Sequence, residues 1–165
     1  MEAVRVAAPG DAARLVELTG ELLGAVTSQR GGSFLVEPDL AGIGGDVTGY
    51  DAGALDRRLR ARMGDPNTVV LVGTVDEVVV GFALGRLDDR GGHGRQGLLD
   101  ACYVEPMARG VGVGRLLLDT VVAWLEGQGC LGVDGTALPG DRQAKNFFEA
   151  AGFKARMLTM HRPLG

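Results

Sequence analysis

Apolar and polar positions along the 165-residue chain change period several times, and each change marks an element. Val4-Arg5-Val6-Ala7 alternates, as a half-buried strand does. Pro9-Gly10-Asp11 interrupts it, with Asp11 placed to cap a helix N-terminus. Ala12, Leu15, Val16 and the run from Leu18 to Leu23 then follow an amphipathic helical repeat. Residues 25–50 are glycine-rich, weakly periodic and read mostly as loop. Asp51 is placed to cap a second helix through Met63, with Leu55 and Leu59 inward and Arg57, Arg58, Arg60 and Arg62 largely outward.

Beyond the break at Asp65-Pro66-Asn67, the β-branched runs Thr68 to Val72 and Val78 to Leu84 flank the short polar stretch from Thr74 to Glu77. That arrangement predicts an antiparallel hairpin. Residues 88–97 form a polar, glycine-rich loop containing His93. Leu98 to Val104 is an apolar strand, and residues 105–114 are a loop. Gly114, Leu118, Val121, Val122 and Leu125 repeat at helical spacing, so a helix runs to about Gly127. Cys130 to Val133 reads as a short strand. Asp141 caps another helix whose inner face is Ala144, Phe147, Phe148 and Ala151, with Gly152 at the left-handed C-cap. Phe153 to His161 reads as a closing strand. The fold class is α/β, a mixed sheet with helices on its faces, read as one domain over residues 1–165.

Composition narrows the function classes. Apolar residues at 45% and charged residues at 23% are ordinary for a globular protein. A net charge of −4 argues against a general nucleic-acid binder. No apolar run reaches the ~18 residues of a membrane helix. The N-terminus has no charged region followed by an apolar stretch, so no signal peptide is read. The expectation is a cytoplasmic protein with no membrane or nucleic-acid partner. Cys102 and Cys130 lie in apolar runs as free, buried small side chains, and no Cys or His spacing suits a metal.

The candidate chemistry sits in Arg109-Gly110-Val111-Gly112-Val113-Gly114, between a strand and a helix start. Helix N-terminal amides lack partners within the helix and carry the positive end of its dipole, and glycine lets backbone approach an anion closely. Arg109 adds a fixed charge and Arg115 a second. A nicotinamide site is disfavoured by the G-x-G-x-G spacing and by the five residues, Pro106 among them, between Val104 and Gly110. No Gly-Lys-Ser/Thr follows, which removes a P-loop. A glycine turn without a ligand is the remaining alternative.

Tyr103-Val104-Glu105-Pro106 followed by Arg109 to Gly114 resembles the core motif of the GNAT N-acetyltransferases, [RQ]-x-x-G-x-[GA], with Arg109, Gly112 and Gly114 in its fixed positions. The hairpin and the run from Ala144 to Phe153 match the same family's layout, so residues 69–162 are covered and residues 4–24 fit its first strand and helix. The resemblance implies a mainly antiparallel central sheet with helices on both faces, acetyl-CoA as cofactor, and transfer of an acetyl group to an amine by direct attack. It implies that Cys102, Tyr103 and Val104 pair with the pantetheine arm, with the Val104 amide aimed at the thioester carbonyl. It also implies that Gly110, Val111, Gly112, Val113, Gly114 and Arg115 hold the pyrophosphate, and that Asn146 joins the cofactor site.

Two catalytic positions depart from the family. Leu98 stands where some relatives carry a glutamate base, which leaves Asp100, two residues on and expected on the same face as Leu98, Cys102 and Val104, as base or as structural acceptor. Phe148 stands where the family often has a tyrosine acid. The acceptor, a small-molecule or peptide amine, is expected between residues 25–63 and the loop 88–97, and a homodimer is compatible with the resemblance. A non-catalytic acyl-CoA-binding protein of the same fold is the alternative.

Overall fold

The computed structural model describes residues 1–32, 51–89 and 92–165. Among the described residues, five strands form one sheet in chain order: β1 (Glu2–Val6), β2 (Thr68–Val75), β3 (Val78–Asp88), β4 (Gln96–Val104) and β5 (Val133–Gly135). The first four pair antiparallel and β4–β5 pairs parallel, which is the mixed, mainly antiparallel sheet expected. Helices α1 (Ala12–Thr27) and α2 (Ala52–Gly64) cover one face, and α3 (Val113–Gly127) covers the other. Helix α4 (Arg142–Ala150) packs beyond β5 on the α3 side, through Phe147 and Phe148.

Alternation on β2 and β3 separates two cores. Val70, Val72, Phe82 and Leu84 meet Leu15, Leu18, Leu55 and Leu59 of α1 and α2. Val69, Leu71 and Ala83 meet Leu117, Leu118, Val121 and Leu125 of α3. The hairpin closes on Asp76 and Glu77, both with positive φ (47° and 69°), the two-residue geometry whose twist suits the flanking strands. Asp51 caps α2 by accepting from the amides of Gly53 and Ala54, and Asp141 caps α4 by accepting from that of Ala144. Gly152, at φ 88°, ends α4, and the amide of Phe153 donates to the carbonyl of Phe148.

Five expectations are corrected. Asp11 does not cap α1; its carboxylate reaches back to the Ala8 amide and pairs with Arg5 across a short 3-10 turn. Residues 25–27 continue α1, while 33–50 lie outside the described residues. The last strand is displaced from Cys130–Val133 to Val133–Gly135. Phe153 to His161 forms no strand, because a strand needs a partner edge and β5 is only three residues long. Finally, Arg62 turns inward: Leu55, Leu59 and Arg62 follow at i, i+4 and i+7, one helical face.

Candidate active site

A 3-10 turn, Pro106–Ala108, carries the chain from β4 to α3. Gly110 and Gly112 follow in left-handed conformations, φ 86° and 100°, which a side chain would resist. The first intrahelical bond of α3 runs from the Leu116 amide to the Gly112 carbonyl. Ahead of it, the amides of Gly110 to Arg115 donate to no acceptor among the described residues. A Cβ at Gly110 or Gly112 would meet nothing within 4 Å, so the loop's outer side is open. Six successive unpaired amides at a helix start form an anion cradle. The Arg115 guanidinium is committed elsewhere, to Asp119 at 2.9 Å and the Ala150 carbonyl at 3.0 Å, which ties α3 to α4.

The cradle joins an unpaired strand edge. β5 follows β4 only over Gly97, Leu98 and Leu99. On the other side, the Glu105 amide bonds the Val80 carbonyl at 2.9 Å, and the register continues through Tyr103 opposite Phe82 and Ala101 opposite Leu84. Antiparallel alternation therefore turns the backbone groups of Tyr103 and Ala101 toward β3, and those of Cys102 and Val104 toward the open edge. This corrects one expected contact. Tyr103 does not present its backbone to that edge, and its ring lies in the α1–α2 core with its hydroxyl donating to Glu21 at 3.0 Å. Arg109 lies over the Tyr103 ring at 5.6 Å and donates to the Val104 carbonyl at 2.9 Å, fixing the corner between strand and cradle.

Cys102 is free and half-buried, and desolvation pushes its thiol up to about 12, which disfavours the nucleophilic thiolate at neutral pH. Asn146 lies exposed on α4, on the side away from the inward Ala144, Phe147 and Phe148. Phe148 lies over β5: a Cβ on Gly135 would fall 2.6 Å from its ring, and the Phe153 ring packs against it tilted, with centroids 5.1 Å apart.

Asp100 is the largest surprise. Its side chain is 4% exposed, accepts from Arg62 at 2.8 Å, and receives Arg86 Nε at 3.0 Å on each oxygen. It faces α2, whereas Cys102 and Val104 pack toward α3, so the shared face expected of the three residues is absent. Its oxygens are engaged as ion-pair acceptors, the structural one of its two expected roles. The partner residues Arg62, Arg86 and Glu21 were missed. The inward spacing of Arg62 after Leu55 and Leu59, and the arginine within the β3 apolar run, were the available signals.

A family model described as "Acetyltransferase (GNAT) family" matches residues 46–153. The chain belongs to this family. The match spans the whole cradle, and GNAT acetyltransferases use acetyl-CoA. One curated relative, "Aminoglycoside N(6')-acetyltransferase type 1" from Stenotrophomonas maltophilia, is 37% identical over 90 residues, 52% of this chain and 59% of its own length. The chain thus spans less than two thirds of that relative. A predicted acetyltransferase from Clostridium acetobutylicum, solved with acetyl-CoA, superposes with TM-score 0.72 at 18% identity, covering 99% of this chain and 96% of that one. The aminoglycoside acetyltransferase AAC(6')-Iy, solved with a CoA bisubstrate analogue, superposes with TM-score 0.72 at 16% identity, covering 100% and 99%. At these identities the two structures establish the fold.

Among the described residues, no helix is long and apolar enough to cross a membrane, and no group of three His, Cys, Asp or Glu side chains is placed to share a metal.

Proposed function

We propose that this protein transfers the acetyl group of acetyl-CoA to the amine of a small molecule. The observation that carries the proposal is the junction of two backbone arrays without strand partners, the amides of Gly110 to Arg115 and the β4 edge at Cys102 and Val104, where Arg109 takes only the Val104 carbonyl. The cradle takes the pyrophosphate. The pantetheine arm leaves it at the Val104 end and runs along the edge, so Val104 meets an amide of the arm. The Cys102 amide, farther from the cradle, then becomes the donor nearer the thioester carbonyl, where oxyanion charge develops. The expected role of Val104 moves one edge position back along the strand.

In the reaction, the neutral amine attacks the thioester carbonyl, a C–N bond forms, the C–S bond breaks, coenzyme A leaves as thiolate, and the proton shed by the nitrogen passes through water to the departing sulfur. No acyl-enzyme is needed, in keeping with the unreactive Cys102. A thiol pKa of ~8.5 makes thiolate a tolerable leaving group without a protein acid. The relatives named for aminoglycosides support a small-molecule amine as acceptor, and the net charge of −4 favours a cationic one. The proposed setting is the cytoplasm.

Phe148 favours one second reading, a protein that binds acyl-CoA without turnover, because the ring over Gly135 carries no hydroxyl. A panel of amines including aminoglycosides, monitored by free thiol release from acetyl-CoA, separates the two. Wild type is expected to release thiol with at least one amine, and Phe148→Tyr to match or exceed it. The variant's stability is measured separately, since a buried hydroxyl without a partner costs roughly 1–3 kcal/mol. Wild type silent across the panel while Phe148→Tyr is active would establish the binder.

A further inference from the structure

We infer that Asp100 is a positioning residue, a latch that keeps β4 bent away from β5 and so holds open the edge along which the coenzyme lies. The inference rests on the reading of that edge as the coenzyme site.

The bend is visible in the register. Leu84 pairs with Ala101 but Gly85 pairs with Leu99, so Asp100 is the extra residue of a β-bulge. On a regular strand, residues two apart share a face. Here Leu99 packs in the α3 core while Ala101 and Tyr103 pack in the α1–α2 core, so the strand changes its facing at Asp100. β5 accompanies β4 as far as Leu99, one residue before the bulge, and no farther. The divergence of the two strands therefore begins where β4 turns.

Two arginines from different elements fix that turn. Arg62 comes from the last turn of α2 and Arg86 from β3, next to the register shift. Both converge on the Asp100 carboxylate, at 2.8 Å and 3.0 Å. A carboxylate 4% exposed is costly to bury unless paired and hydrogen-bonded, and this one is both. Arg86 holds the carboxylate from β3, on the side of β4 opposite β5, and Arg62 from the α2 face, so the lone pairs point into guanidinium groups instead of the open edge. A general base would need the opposite orientation.

The test compares Asp100→Asn, Arg62→Met and Arg62→Lys, each checked for cooperative melting. Coenzyme A affinity is measured well below the melting temperature, and kcat is measured at saturating acetyl-CoA with any amine that turns over. The latch predicts a dissociation constant for coenzyme A raised about tenfold in Asp100→Asn and Arg62→Met, within the usual span of coupling between two sites. It predicts substantial recovery in Arg62→Lys, with little change in kcat. A base predicts unchanged affinity and a kcat lower by roughly 10²–10⁴ in Asp100→Asn alone.

Amide hydrogen exchange at Cys102 and Val104 is followed without coenzyme, with Leu71 on β2 as reference. The latch predicts a change of about tenfold in Arg62→Met at the two edge amides only, again of the order of a two-site coupling. Folded variants with wild-type affinity and wild-type edge exchange overturn the latch. Should Arg62→Met fail to fold, the same null result in Arg62→Lys and Asp100→Asn overturns it. If wild-type protein ignores coenzyme A, the proposed function fails, while the exchange comparison still decides whether Asp100 holds the bend.

Discussion

The two edges of β4 are built on different principles. Toward β3, pairing runs almost the whole length of the strand and is broken only at the bulge. Side chains there lock into the α1–α2 core, as Tyr103 does against Phe82 at 6.2 Å and Glu21 at 3.0 Å. Toward β5, pairing stops after three residues, and backbone groups are left without a strand partner. The first edge specifies the fold by side-chain packing. The second presents main-chain donors to a ligand, with few side chains involved. A single strand serves both ends because alternation sends successive residues to opposite edges, with Tyr103 to one and Cys102 and Val104 to the other.

The largest expected effect is on Cys102. A thiol raised from 9.0 to about 12 has on the order of 10³-fold less thiolate at neutral pH than an unperturbed one. Iodoacetamide labelling followed by mass spectrometry should therefore modify Cys102 more slowly than a model thiol, by about 10–10²-fold once the greater nucleophilicity of a high-pKa thiolate is counted. Coenzyme A should slow it further by covering the edge. Rapid labelling of the folded protein would mean that the open edge exposes the sulfur as well as the backbone.

Next in size is Gly112→Val, aimed at the cradle. At φ 100° any L-residue strains the backbone, at roughly 1–2 kcal/mol. The new side chain would also project from an open surface where the pyrophosphate approaches. Wild type should be stabilised by coenzyme A by about 2.7 kcal/mol at a hundredfold excess over its dissociation constant. The variant should melt somewhat lower and lose the coenzyme-induced shift entirely. A retained shift would remove the pyrophosphate from Gly112.

What was legible in the sequence follows the same division. The cradle could be read because it is made of glycine conformations and helix-start amides, which local spacing encodes in Arg109, Gly112 and Gly114. The hairpin and the helical caps at Asp51 and Asp141 were equally local. Asp100 was misplaced because the period-two rule was carried through a bulge that nothing in Leu98 to Val104 announces. Arg62 was read as solvent-facing because it is charged, although its spacing from Leu55 and Leu59 put it on the inner face. Tyr103 was grouped with its neighbours on the cofactor edge, since its position within the motif outweighed the alternation that separates it from them. Long-range ion pairs such as Arg62–Asp100, 38 residues apart, leave no local pattern to read.

The smallest effect sharpens the closed edge. Burial is the main cause that raises the Tyr103 hydroxyl above its ordinary value, and the hydrogen bond to Glu21 adds to it. The neutral phenol is thus favoured in the folded state. Its contribution to stability is fully present below the unfolded tyrosine pKa of ~10 and is lost as pH rises through the higher folded value. Tyr103→Phe removes the titrating group and one hydrogen bond, while Glu21, on the exposed side of α1, can turn to water. The cost at pH 7 should be only about 0.5–1.5 kcal/mol, the net value of one such bond. Urea midpoints measured from pH 7 to 11 should show the gap between wild type and variant narrowing above pH ~10, because wild type alone loses the phenol's contribution there. Coenzyme A affinity should stay at the wild-type value, since the backbone groups of Tyr103 point to β3. A Tyr103→Phe variant with impaired coenzyme binding would show that the two edges are coupled through Arg109, which lies over the ring and holds the Val104 carbonyl.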